Sequence, residues 1–343
     1  MENVHFSGIS TLLPIALEKR SFSKVVVLVD ENTEKHCLPL IESLLPAHQV
    51  LTMPAGESHK TIETVAQLWE QLIALQADRH TLLINLGGGV VTDLGGFLAG
   101  TYKRGIPFLN IPTSLLAMVD ASVGSKTGID FGGVKNSIGL FQDAEAVLVD
   151  PTFLDTLPER QRVNGYAEIL KHGLISNAKH WKFWTRFDPH TGDWTQLIKD
   201  SVAVKADVVA QDPKEKGIRK ILNFGHTLGH AIEAWSLENE ENHLLHGEAI
   251  ALGMLAEAYL SQKYCDLPAE EFLAIKTELL RHYSPKKFQA ESFAAMLDTM
   301  RNDKKNDGQQ IQFSLIERIG RATYNVAVRE EDSILALEYL NTL

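Results

Sequence analysis

The sequence predicts an α/β chain in two parts, an N-terminal half built on a mostly parallel sheet and a mainly helical C-terminal half. Three observations carry this. Short apolar runs alternate with helical stretches as far as Pro158. The strand-like run Leu82-Leu83-Ile84 leads into Gly87, Gly88 and Gly89, and then into a helix-compatible segment. Beyond Pro158 long helical patterns take over. Strands that alternate with helices build a parallel sheet covered on both faces. Ligands of such sheets sit outside the carboxyl ends of the strands.

The elements follow in order. VVVLV at 25–29 is a buried strand running into Asp30, and a helical stretch continues to about residue 45. Residues 49–53 form a second strand. Over 61–76, Ile62, Val65, Leu68, Trp69, Leu72 and Ile73 recur at helical spacing. Residues 82–86 are a strand, followed by a helix to about 102, and two more strands fall at 107–111 and 146–149. The second half reads as helices at 161–176, 194–210, 225–237, 247–263 and 270–283. IQFSLI and ATYNVAV, within 310–328, are two strands around the turn Ile319-Gly320-Arg321. The expected domains are therefore 1–158 and 159–343, with no internal repeat and no low-complexity tract.

Composition excludes several classes. The length of 343 residues suits two domains. No run of about 18 apolar residues occurs, so no membrane span is expected. The opening MENVHFSGIS lacks the blocks of a signal peptide. Cys37 and Cys265 are few and far apart, which points to a reducing, cytoplasmic compartment. The net charge of −11 disfavours nucleic acid as a partner. Against that background a cluster of cations needs a reason.

Strand, glycine turn and helix start together make an anion site, because glycine admits a phosphate close to the backbone and first-turn N–H groups point at it. The spacing is not GxGxxG, so the usual dinucleotide fingerprint is absent. Asp93, placed in the first helical turn, reads either as a helix-dipole carboxylate or as a polar group aimed into the cleft.

The second half holds His226, His230, His243 and His246, with Glu233, Glu241 and Glu248 nearby. His226 and His230 are i,i+4 on one helix face, a spacing that suits a divalent metal. Glu168 lies on an apolar helix, where a buried charge needs a partner. One carboxylate plus two histidines leaves coordination positions open, as catalytic zinc sites do. A single histidine is more often a surface or hydrogen-bonded core residue; the set is the signal. Among the cations, Lys126 and Lys135 flank a glycine-rich loop, VGSKTGIDFGGVKN, and Lys171 follows Glu168 by one turn. Lys205 sits in SVAVKADVV, where an ammonium needs an anion or a route to solvent. Arg219 precedes LNFGH, and Lys304 and Lys305 lie in NDKKNDG. Several cations beside a metal suit a substrate with phosphate and carboxylate groups.

These stretches together resemble the 3-dehydroquinate synthases, of the sugar phosphate cyclase group. The markers are PAGESHK, LGGGVVTDLGGFLAGTYKRG, IPTSLLAMVDASVGSKTGID, VKNSIG, GYAEILKHG, SVAVKADVV, RKILNFGHTLGHAIEA and HGEAIALGM, in family order. The resemblance implies a Rossmann-like α/β domain and a mainly helical domain with the active site between them. It implies that Glu168, His226 and His246 bind Zn2+ or Co2+, leaving His230 to act on the substrate. It lays NAD along the first domain. Asp30, Asn32, Glu57 and Lys60 would meet the adenosine end, with Gly88, Gly89 and Val90 at the pyrophosphate. Asp93, Thr113, Ser114, Lys126 and Lys135 would hold the nicotinamide half, with Phe153 and Thr156 also on the cofactor side. The substrate, 3-deoxy-D-arabino-heptulosonate 7-phosphate, would be gripped by Asp120, Lys126, Asn136, Lys171, Lys205, Arg219, Asn223 and Arg104. Glu215 and Lys305, with Lys304 as alternative, would complete the set. Arg104 would come from the partner of a homodimer.

The implied chemistry is a redox cycle that returns its cofactor: oxidation at C5, β-elimination of phosphate with the substrate phosphate as base, reduction, ring opening and aldol closure to 3-dehydroquinate. Two departures stand out. Most members carry Thr-Thr at Thr113-Ser114, and Gly-Gly-Lys at Gly124-Ser125-Lys126. Ser114 keeps a hydroxyl. Serine at 125 is unfavourable if that position needs φ > 0, and a small effect is expected. Three rivals remain: a cyclase making valiolone- or inosose-type rings, a metal-dependent alcohol or glycerol dehydrogenase, and a degenerate binding protein.

Overall fold

A computed structural model describes residues 3–132, 134–239, 241, 243–301 and 311–343. The chain forms two compact units, 1–158 with 194–206, and 159–193 with 207–343.

The first unit contains, in order, β1 (Val4–Phe6), α1 (Ile9–Glu18), β2 (Val25–Asp30), α2 (Glu31–His36), α3 (Leu38–Ile41), β3 (His48–Met53), α4 (Ile62–Ala74), β4 (Leu82–Gly87), α5 (Gly89–Thr101), β5 (Phe108–Pro112), β6 (Lys126–Phe131), β7 (Val134–Phe141) and β8 (Ala146–Val149). Six strands form one parallel sheet in the order β1-β8-β5-β4-β2-β3. The central strands β4 and β5 are buried at every position, because helices cover both faces. The α/β expectation holds. The helix expected to run to about residue 45 is broken at Cys37, where Pro39, near the start of α3, cannot donate a helical hydrogen bond.

One expectation is corrected. VGSKTGIDFGGVKN is not a loop: β6 and β7 form an antiparallel hairpin, turning near Gly132 at φ 61°. Glycine permits this in two ways. Gly128 pairs with Gly139, and a side chain on either would strike the other strand's backbone. Gly96 and Gly100 of α5 also let the hairpin lie close, against Thr127 and Leu140. Gly124 (φ 116°) and Ser125 (φ 59°), just before it, are both left-handed. Ser125 thus occupies a conformation that costs about 1–2 kcal/mol without glycine, and its hydroxyl donates to the Asp143 carboxylate.

The second unit is mainly helical, with α6 (Glu159–Ser176), α7 (Ala178–Trp184), the end of α8 (Trp194–Gln211), α9 (His226–Asn239), α10 (His246–Tyr264), α11 (Ala269–His282), α12 (Ser292–Arg301) and α13 (Glu330–Leu340). The strands β9 (Ile311–Arg318) and β10 (Arg321–Val328) make the expected antiparallel pair. The core helix α10 is buried almost all round, and α9 packs against it. Their close approach depends on Gly253, whose Cβ would stand 2.6 Å from Gly229 N. Among the described residues no helix is long and apolar enough to cross a membrane.

Burial raises the thiol of Cys37 to about 11, assisted by Asp30 and opposed by a hydrogen bond from Thr113. Burial likewise raises Cys265 to about 11, with Glu317 and Asp266 adding to it. Thiolate is the reactive form, so at pH 8 the folded chain is expected to react with iodoacetamide much more slowly than the chain in denaturant. Equal rates in the two states would contradict this.

Candidate active site

In the N-terminal unit the chemistry gathers at the carboxyl ends of the strands. Strand order reverses around β2, with β3 on one side and β4 on the other, and such a reversal is where an open α/β sheet receives ligands. Asp30 ends β2 and caps α2, its Oδ1 accepting from the N–H groups of Asn32 (3.0 Å) and Thr33 (2.8 Å). Across the reversal, Gly87 ends β4, and Gly88, Gly89 and Val90 open α5, which no side chain caps. A Cβ on Gly89 would meet nothing within 4 Å, and one on Gly88 would stand 3.2 Å from Ser114 Oγ. The open cradle and the uncapped N–H groups fit a pyrophosphate. Thr113, after β5, donates its N–H to Gly87 O at 3.0 Å. Phe153 is a core side chain at 1 % exposure, and Thr156 Oγ1 donates to its carbonyl at 3.5 Å.

Asp93 falls beyond the first turn of α5. Its partner is Lys60, 3 % exposed, whose ammonium donates to Asp93 Oδ2 and Asn136 Oδ1, each at 2.7 Å. Lys60, expected beside Glu57 and Asp30, thus ties a helix residue to the β6–β7 hairpin. Burial works against its charge, but Asp93, Glu57 and Asp130 outweigh it and raise the pKa. Glu57 lies 3.8 Å from Lys135. Asn136 has φ 49° and donates its N–H to Asp130 Oδ1 at 2.7 Å. Lys126, exposed, begins β6. Arg104 is exposed within a left-handed run of Lys103 (φ 49°), Arg104 (φ 66°) and Gly105 (φ 109°). Lys205, 7 % exposed, donates to Asp120 O at 2.7 Å and to the Asp120 carboxylate. The anion its apolar helix face demanded is therefore supplied within the unit.

In the C-terminal unit Glu168 is the centre. It is fully buried on α6, and its Oε2 accepts from Lys171, one turn on and itself 1 % exposed. Among the described residues its Oε1 has no hydrogen-bond partner. That oxygen lies 3.6 Å from His226 Nε2 and 4.0 Å from His246 Nε2. The tetrahedral edge for bonds near 2.0–2.1 Å is about 3.4 Å; the three atoms lie within 4.8 Å of one another, a group that could hold one ion. An orphaned buried carboxylate oxygen is costly without a cation. Both histidines are held from behind. His226 Nδ1 faces Phe224 O at 3.1 Å, and His246 Nδ1 faces Glu233 Oε2 at 3.3 Å. Since carbonyl and carboxylate only accept, each Nδ1 carries a proton, and in the neutral ring Nε2 is then the nitrogen that offers a lone pair.

Neighbouring helices clamp both histidines in place. His246 begins α10, where Gly247 N–H donates to Asn164 Oδ1 at 2.5 Å. Arg160 grips Glu248 with two bonds of 2.8 Å. His226 begins α9, and the fully buried Glu257 accepts from Gly225 N at 2.6 Å and Leu228 N at 3.0 Å. His230 stands beside the set, its ring 5.1 Å from that of His226 and 5.9 Å from that of His246. With Glu233 and His246 it forms a second close group. Arg219, 3 % exposed, donates to Pro213 O at 2.7 Å, and Asn223 Nδ2 donates to Glu215 Oε1 at 2.8 Å. Lys304 and Lys305 lie outside the described residues. Sequence reading missed Asn164 and Glu257: Glu257 is signalled by a carboxylate on an otherwise apolar helix face, whereas Asn164 shares its face of α6 with Arg160, Gln161, Glu168 and Lys171 and has no such signal.

Residues 50–164 match the family model for the N-terminal part of 3-dehydroquinate synthase, and residues 165–306 match that for its C-terminal part. The chain belongs to the 3-dehydroquinate synthase family. The 3-dehydroquinate synthase of Parabacteroides distasonis is 42 % identical over 329 residues, covering 94 % of this chain and 93 % of that protein. A 2-deoxy-scyllo-inosose synthase, solved with carbaglucose-6-phosphate, NAD+ and Co2+, aligns with a TM-score of 0.84 at 26 % identity, over 98 % of this chain and 96 % of its own. A 2-epi-5-epi-valiolone synthase of Streptomyces hygroscopicus, solved with NAD+ and Zn2+, gives 0.82 at 26 % identity, over 99 % and 96 %.

Proposed function

We propose that this chain converts 3-deoxy-D-arabino-heptulosonate 7-phosphate into 3-dehydroquinate and phosphate, as an NAD- and metal-dependent carbon–oxygen lyase of the cytoplasm. The carrying observation is the buried Glu168 oxygen facing two histidine nitrogens, in a chain matched by both family models. Identity supports this substrate over the inosose and valiolone classes, at 42 % against 26 %.

The N-terminal unit would bind NAD, with Asp30 and Gly88–Gly89 on either side of the strand reversal. Glu168, His226 and His246 of the other unit would hold Zn2+ or Co2+. Bound, these groups supply reversible hydride transfer and a Lewis acid for the substrate hydroxyl. Lys171 donates to the other Glu168 oxygen and offsets the charge of that carboxylate. His230, beside the ligands, would hydrogen-bond the substrate. Lys126, Asn136, Lys205, Arg219 and Asn223 would orient its phosphate and carboxylate, with Asp120 and Glu215 fixing Lys205 and Asn223. Exposed Arg104 would serve the partner of a homodimer.

The test is phosphate release from the heptulosonate phosphate. Many turnovers per NAD are expected, abolished by a chelator and restored by Zn2+ or Co2+. NADH accumulating in step with turnover would instead establish a dehydrogenase.

A further inference from the structure

We propose that Glu233 is a positioning residue for the metal centre: its carboxylate sets the ring of His246 and strengthens that histidine as a ligand. The inference rests on the reading of Glu168, His226 and His246 as the ligand set.

The two histidines are held differently. His226 Nδ1 meets a neutral backbone carbonyl, which is present whatever the sequence. His246 Nδ1 meets a carboxylate, which only a particular side chain provides. The Glu233 side chain is 5 % exposed, whereas His246 is 25 % exposed at its side chain and is the more open of the pair. A turn of the His246 ring about its Cβ–Cγ bond would move Nε2 away from Glu168. A buried anion behind Nδ1–H opposes that rotation. It also selects the Nδ1–H tautomer and makes Nε2 more electron-rich. Carboxylate–histidine–metal relays work this way, and loss of the outer partner typically weakens metal binding by about tenfold to a hundredfold.

Helix geometry supplies the reach. Glu233 lies on α9, seven residues after His226 and so about two turns along the same face. One helix therefore carries a ligand at its start and the support for the second ligand two turns later. The close approach of α9 and α10 at Gly253 brings that support to the start of α10.

The experiment is titration of the metal-stripped chain with Co2+ and Zn2+, comparing wild type, Glu233→Gln and His246→Ala. Glutamine keeps the shape and an acceptor oxygen but removes the charge. One ion per wild-type chain is expected, with a tenfold to hundredfold weaker dissociation constant in Glu233→Gln. A changed visible spectrum of bound cobalt and a metal-free melting temperature near wild type should accompany it. Unchanged affinity in Glu233→Gln overturns the role. So does a Glu233→Gln chain that is unfolded before metal is added, because Glu233 is then structural. Two ions per wild-type chain, one lost in Glu233→Gln, make Glu233 a ligand and also overturn it. A wild-type chain that binds no ion, or His246→Ala that keeps it, overturns the ligand set itself.

Discussion

His246→Ala is expected to lose the metal and with it essentially all phosphate release, while His230→Ala keeps the metal and turns over slowly. The buried Glu168 Oε1 faces Nε2 of His226 and of His246, at 3.6 and 4.0 Å. Removing His246 leaves two protein ligands, one fewer than catalytic zinc sites normally have. His230 stands beside this group, its ring 5.1 Å from that of His226. A residue that acts on substrate through a hydrogen bond or proton transfer typically contributes about a hundredfold to ten-thousandfold to rate. Metal content per chain after dialysis, measured on both variants, decides the matter. Metal lost from His230→Ala but kept by His246→Ala would reverse the two roles and would falsify the assignment.

Lys205→Met is expected to lower catalytic efficiency about tenfold to a hundredfold, the equivalent of a charged hydrogen bond worth roughly 1.5–3 kcal/mol. Lys205 is buried to 7 % exposure and bonds to the carbonyl and carboxylate of Asp120. The Asp120 side chain is 39 % exposed, so water can take up its charge when the lysine goes. The stability loss should therefore be near that of a partly exposed ion pair, about 1 kcal/mol or less. Methionine preserves the apolar stem and the packing of the helix face. Steady-state kinetics together with thermal melting separate the two roles. A variant that melts far below wild type yet has normal kinetics when folded would make Lys205 purely structural.

The legible parts of the fold share one property: their signal is local. Strand β2 is apolar from Val25 to Val29, and β4 is apolar but for Asn85 and its final Gly87, because helices cover both faces of a parallel sheet. Helix α4 shows its 3.6-residue stripe, with Thr61 capping Thr64 N–H. The β6–β7 hairpin shows no clean alternation, and its local signal is confined to the Gly132-Gly133 pair between Phe131 and Val134. It is specified by what lies opposite, glycine against glycine and both against α5. Helices α1, α7, α12 and α13 carry no motif, and periodicity reading placed nothing there.

The site divides along the same line. The motifs in sequence determined the family, the parallel sheet, the glycine cradle and the residue types able to bind a metal and anions. Spacing alone paired His226 with His230, because i,i+4 residues meet on any helix. Grouping His226 and His246 around Glu168 requires three helices to converge, and no local pattern encodes that. Tertiary structure also decided the partners of the buried charges: Lys60 with Asp93 and Asn136, Lys205 with Asp120, His246 with Glu233. A sequence shows that a charge falls on an apolar face and must be neutralised. Which group neutralises it depends on distances of about 3 Å between residues remote in the chain, and packing alone sets these.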